Sequence, residues 1–155
     1  MKKNIEMLKK NNFIISKEEK IQSVNTIYVD DVNKKFAIQV GKKGKLKIYN
    51  YKDLGQYELN EDGNSVLQGK GIATIVGGMA FGIFGAMAGA VGKRANTNIC
   101  TSMVVRIMVN DLDEPQIVIP FITNKTKKGK MMYNISLAEA KKLISILSYI
   151  ERAAI

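Results

Sequence analysis

Gly71–Gly92 reads GIATIVGGMAFGIFGAMAGAVG, a run of 22 residues without a charge and with Thr74 as its one hydroxyl. It holds seven of the chain's thirteen glycines. Lys70 precedes it, and Lys93 and Arg94 follow. A helix across a bilayer needs about 20 apolar residues, so length alone permits a transmembrane pass. A single pass would put the flanking segments on opposite sides of a membrane. Both flanks read as strands of one sheet, which could not then close. A reversal near Gly77-Gly78 or Gly82 returns both ends to the same side. The expectation is therefore a glycine-rich helical hairpin over 71–94, each arm reaching about 15 Å, inserted between the fifth and sixth strands.

Upstream, Thr26–Asp30 is rich in β-branched and aromatic residues. Asn33-Lys34 can turn the chain, and Phe36, Ile38 and Val40 then alternate with Ala37 and Gln39. After the Gly41–Gly44 turn, Leu46 and Ile48 alternate with Lys45 and Lys47, the pattern of a strand with one wet face. Tyr51–Leu54 reads as a turn and Gln56–Leu59 as a strand. Asp62-Gly63 is a hairpin signal, because a primed turn needs positive φ at its centre. Asn64–Gln68 answers it. Downstream, Met103, Val105, Ile107 and Val109 form one face of a long strand, with Arg106 on the other. Gln116–Ile122 follows, and Pro120 places it at an edge or an end.

The chain closes on an amphipathic helix. Ser136 and Glu139 form a capping box. Leu137, Ala140, Leu143, Ile144, Leu147 and Ile150 recur at three- and four-residue steps. About seven strands followed by one helix, without β-α-β alternation, predict a mainly β, α+β fold with an antiparallel sheet. Residues 1–20 read as an N-terminal arm, and 21–155 as the domain that carries the insert.

The chain has 155 residues, 46% hydrophobic and 25% charged, which is a globular balance. Cys100 is the only cysteine, so no intramolecular disulfide can form. With no histidine, Cys/His zinc sites and imidazole-based triads are excluded. No phosphate loop and no dinucleotide fingerprint are present. Asp30-Asp31, and Asp111 with Asp113 and Glu114, sit at turns and fit loop solvation better than paired catalytic carboxylates. The expectation is a non-enzymatic protein without a cofactor or metal. The N-terminus, MKKNIEMLKKNNF, lacks the apolar run of a secretory signal, which points to the cytoplasm.

The order of strands and helix is that of pleckstrin-homology-like (PH-like) domains, an antiparallel barrel or sandwich. A more local likeness lies in Lys45–Arg94. Lys47-Ile48-Tyr49, Tyr51, Leu54, Glu58-Leu59, Asp62-Gly63, Gly85-Ala86, Gly89 and Lys93-Arg94 resemble a pattern in bacterial and phage PH-like proteins of uncharacterised function. These carry a glycine-zipper insert, often beside a short C-terminal oligomerisation domain of which no counterpart is read here. The resemblance covers roughly Lys45–Ser148 and implies an interaction module for lipids, peptides or proteins.

Three settings suit the insert: a core helix pair, contact with a membrane, or an oligomer seam. Its small residues fall as Gly78-xxx-Gly82 and Gly85-xxx-Gly89, which lets helices approach closely. Phe81, Phe84 and Met87 would supply apolar contacts, and Lys70, Lys93 and Arg94 would meet headgroups at its base. The net charge of +10 favours anionic partners. Lys42, Lys43, Lys45 and Lys47 form one basic cluster; Lys125, Lys127, Lys128 and Lys130 form another. Each is an anion-binding candidate or simply a solvated loop. The leading expectation is a module docking peripherally on anionic headgroups at the inner face of the cell membrane. The alternatives are a self-associating or partner-binding soluble protein, and a binder of an anionic small molecule or nucleic acid. Nucleic acid is disfavoured, because the terminal helix is not strongly basic and Tyr49, Tyr51 and Tyr57, near the first lysine cluster, are no more than suggestive.

Overall fold

The computed structural model describes residues 2–69 and 98–155. It begins with a helix, α1 (Lys2–Lys10), followed by β1 (Lys17–Ile21), β2 (Asn25–Asp30), β3 (Lys35–Gln39) and β4 (Leu46–Asn50). These four strands form one antiparallel sheet in chain order. A 3-10 turn, Tyr51–Asp53, leads into β5 (Leu54–Glu61) and β6 (Asn64–Gly69). Residues 70–97 lie outside the described residues, so the expected helical hairpin does too. The chain resumes in β7 (Ile99–Cys100), β8 (Met103–Val109), β9 (Gln116–Ile122), β10 (Thr126–Lys127) and α2 (Met131–Ala153). The second sheet has the order β6-β5-β8-β9, and β10 pairs with β7 in a short ribbon. The seven expected strands are β2 to β6, β8 and β9. The described residues add β1 and the β7–β10 ribbon to them.

Alternation decided which side chains meet. Met103, Val105, Ile107 and Val109 are all buried on the inner face of β8, as their spacing predicts. Ile27, Val29, Phe36 and Ile38 face them from the first sheet, and α2 closes the core with Ala140, Leu143, Leu147 and Ile150. Asp62 and Gly63 both have positive φ, +49° and +84°, the primed turn the sequence announces. Pro120 is exposed on β9, which stands at the end of its sheet and pairs only with β8 among the described residues, where a missing ladder donor is tolerated.

Two placements are added to the expectations and one expectation, the start of the terminal helix, is corrected. Leu46 and Ile48 do not face the main core. With Leu8, Phe13, Tyr28 and Ala37 they form a second cluster under α1, on the outer face of the first sheet. The N-terminal segment is packed, with Leu8 fully buried. The helix starts at Met131, five residues before the capping box. Ser136 instead donates its hydroxyl to the Phe121 carbonyl at 3.5 Å, and Glu139 accepts the Gln22 N–H at 3.2 Å. Both residues tie the helix to the sheet rather than cap its end.

Candidate functional site

The expected contact residues of the insert, Gly78, Phe81, Gly82, Phe84, Gly85, Met87 and Gly89, and the flanking Lys70, Lys93 and Arg94 lie outside the described residues. Their two points of attachment are described. The chain departs at Gly69, which lies flat on the Tyr57 ring: a Cβ there would stand 2.0 Å from the ring's Cζ. Tyr57 in turn donates its hydroxyl to Glu151 near the end of α2. The chain re-enters at Asn98, whose carbonyl accepts the Lys128 N–H at 2.9 Å beside the start of α2. Among the described residues no helix is long and apolar enough to cross a membrane.

The β1–β2 turn lies between the elements that carry the two lysine clusters and is bonded to each. The Gly41 N–H donates to Asn25 Oδ1 at 2.8 Å, which holds the β3–β4 turn against the β1–β2 turn. Gln22 of that turn donates its side-chain amide to the Phe121 carbonyl at 2.9 Å, just before the 123–130 connection. Lys42, Lys43 and Lys45 are exposed on one loop; Lys125, Lys127 and Lys130 are exposed on the other. Among the described residues no carboxylate lies within ion-pair reach of these six.

Two lysines of the clusters differ. Lys47 is paired with Glu114 across a cleft of about 380 Å³ that Lys45 and Val118 also line. Lys128 is half-buried and meets Glu61 at 2.6 Å, and that bond raises its pKa. Both charges are thus neutralised within the fold. The sequence could not show this, because their partners lie far along the chain.

Glu61, Asp62 and Cys100 bring three metal-type donors within 4.8 Å of one another. The donors are already engaged. Glu61 accepts the Tyr133 hydroxyl as well as the Lys128 ammonium. Asp62 Oδ1 accepts from the Thr101 N–H, the Thr101 hydroxyl and the Ser102 N–H at 2.7–2.9 Å. Burial pushes the Cys100 thiol up to about 11, so it stays protonated and is a poor ligand and nucleophile. The group is a clip: it fastens the β5–β6 turn to the strand that follows the insert.

The other paired acids are also structural. Asp30 is buried and accepts from the Ile14, Val32 and Asn33 N–H groups and the Asn33 side chain. Asp31 accepts the hydroxyls of Tyr51 and Tyr149. Asp111 accepts the N–H groups of Asp113 and Glu114 and closes its own turn. Of these, Asp30 and Asp31 are anchors rather than solvated loop residues.

One feature beside the second lysine loop has no counterpart in the sequence reading. Met131, Met132 and Ile135, at the start of α2, are exposed. The capping box had placed the helix start beyond the two methionines. The signal was present in Met131-Met132 directly after a Gly-Lys turn.

A family profile of glycine-zipper-containing PH domains matches residues 10–123. The chain belongs to that family. The match reaches further toward the N-terminus than the resemblance read from Lys45 onward, and it takes in the first sheet and 70–97. PH domains are protein- or lipid-interaction modules and generally non-catalytic. No curated protein and no solved structure matches the chain.

Proposed function

We propose that this glycine-zipper PH domain docks peripherally on anionic membrane surfaces, with its lysine loops against headgroups and its glycine-rich insert against the acyl boundary. The observation that carries the reading is that Lys42, Lys43, Lys45, Lys125, Lys127 and Lys130 are exposed and unpaired among the described residues, on two loops whose flanking strands are both bonded to the β1–β2 turn. The chain re-enters from an uncharged 22-residue segment at Asn98, which with Lys125 and Lys127 lines one surface cleft.

A lysine near an anionic leaflet contributes about 1 kcal/mol, and the attraction falls off within a Debye length of about 8 Å at physiological salt. Lys42→Ala with Lys43→Ala therefore lowers partitioning by roughly thirtyfold. Flotation with anionic and neutral liposomes, for the full chain and for a variant lacking 71–92, tests the reading. Full-length protein that stays at the bottom of the gradient with anionic vesicles overturns it.

The spacing Gly78-xxx-Gly82 and Gly85-xxx-Gly89 favours a second reading, self-association through the insert. Light scattering on Gly82→Leu with Gly85→Leu decides it. A wild type that is already monomeric, or an oligomer that survives the double substitution, counts against an assembly seam.

A further inference from the structure

We propose that the start of α2 is a second membrane foot: Met131, Met132 and Ile135 enter the acyl boundary of an anionic bilayer while Lys125, Lys127 and Lys130 meet its phosphates. This rests on the docking reading above and assigns it residues outside the insert.

The three apolar side chains are 74%, 68% and 52% exposed, and they lie together. Met131 and Ile135 are four apart on the helix, and Met132 and Ile135 three apart, so all three share one face. Beside them opens a cleft of about 710 Å³ between the 123–130 loop and α2. Phe121 and Ile122 are among its apolar lining, the three lysines are among its polar lining, and no carboxylate lines it. An apolar patch bordered by free cations is what an anionic lipid surface complements. Lysine stems can lie along the apolar layer while their ammonium groups stay at the phosphates. Unbranched, flexible methionines can adapt to an irregular partner surface.

A contrast within the same molecule sharpens the choice of occupant. Leu112 is fully exposed, yet it stands in a turn with Asp111, Asp113 and Glu114. An anionic surface repels that turn and attracts the α2 foot. Free inorganic phosphate would account for the lysines but leaves the methionines in water, so the bilayer is the source the patch selects.

The chain contains no tryptophan, which allows a single reporter to be placed at will. The full-length variants Met132→Trp and Leu112→Trp would be titrated with vesicles of mixed phosphatidylglycerol and phosphatidylcholine, and with inorganic phosphate as a separate arm. The expected result is a blue shift of indole emission in Met132→Trp, with quenching by bromine-bearing acyl chains. No change is expected in Leu112→Trp, or in either variant with phosphate alone. In the wild-type background, Lys125→Ala with Lys127→Ala and Lys130→Ala lowers partitioning by roughly a hundredfold. Met131→Ser with Met132→Ser lowers it by roughly tenfold or more. All these positions are exposed, and circular dichroism verifies that the variants fold. If both reporter variants float with vesicles but the indole of Met132→Trp stays in water, the foot is refuted while membrane docking stands. If wild type does not float, both fall. A blue shift of Met132→Trp produced by phosphate alone also overturns the bilayer assignment.

Discussion

Asp62→Asn measures how firmly the two chain segments around the insert are clipped together. One carboxylate oxygen accepts three donors from the far segment: the Thr101 N–H at 2.8 Å, the Thr101 hydroxyl at 2.7 Å and the Ser102 N–H at 2.9 Å. Asparagine keeps an acceptor oxygen and tolerates the φ of +49°. The loss is therefore the charge assistance. Bonds to a charged group are worth about 1.5–3 kcal/mol and neutral ones about 0.5–1.5, so roughly 1 kcal/mol is lost per bond. Both Thr101 bonds are solvent-exposed, and screening brings the sum to about 2 kcal/mol. For a chain of this length that lowers Tm by about 4–8 °C. The pH dependence separates charge from shape. Burial alone would raise the Asp62 pKa; the Thr101 and Ser102 donors and Lys128 outweigh it, and the net shift is downward. A depressed carboxylate pKa stabilises the fold above the unfolded value of about 3.9 and ceases to do so as pH falls through the folded value. The gap between wild type and variant should be full near neutrality and close in acid. Asp30 and Asp111 are also depressed, so both proteins lose stability there, and only the difference reports Asp62. Urea titrations across this pH range provide the measurement. A gap below about 0.5 kcal/mol at neutral pH, or one that persists unchanged into acid, refutes the assignment.

Gly69→Ala drives a Cβ into the Tyr57 ring and displaces its hydroxyl from Glu151; urea denaturation should register a loss of about 1–3 kcal/mol, and a neutral result means the ring yields freely. Lys128→Ala leaves the largely buried Glu61 carboxylate without its cation and should cost about 1–2 kcal/mol, whereas Lys42→Ala stays within about 0.5. Vesicle partitioning should rank the same two variants the opposite way, and equal effects on both readouts would contradict the division of labour. Cys100, buried and with its pKa near 11, should resist thiol reagents at neutral pH until the protein unfolds, so rapid labelling of native protein would be inconsistent with this packing.

Most of the strands were legible because strand alternation and hairpin chemistry are local. The face of β8 and the Asp62-Gly63 turn need only neighbouring residues to be read. What escaped depends on distant partners. Leu46 and Ile48 carry the pattern of a core face, and only the presence of α1 shows that they look away from the main core. β1, with the sequence KEEKI, has no apolar alternation. Pairing with β2 and the Lys142–Glu19 contact at 2.6 Å hold it in place. Ser136 and Glu139 have the right types and spacing for a cap, yet Phe121 and Gln22 make better use of them. At the candidate site the lysine clusters were visible as clusters. The neutralisation of Lys47 and Lys128 was not, nor was the methionine patch that the earlier helix start exposes.

The net charge of +10 acquires a spatial meaning from these contacts. A uniform excess of lysine would keep a protein soluble and say little about partners. Here most acidic side chains are consumed within the fold. Asp30, Asp31, Asp62 and Asp111 close turns or anchor tyrosines, while Glu19, Glu58, Glu61 and Glu114 each hold a lysine or an arginine. The cations left over include six on two loops, and those of the second loop lie beside exposed methionines and beside the point where the chain resumes at Asn98. Charge used internally contributes little to an external field, so the imbalance is concentrated where the acids are missing. An attraction of this kind is steep in ionic strength, because exposed charges are screened beyond a Debye length. Apolar contact is not. The two parts of the proposed surface therefore separate by salt: raising it should strip the lysine contribution and leave the methionine contribution in place.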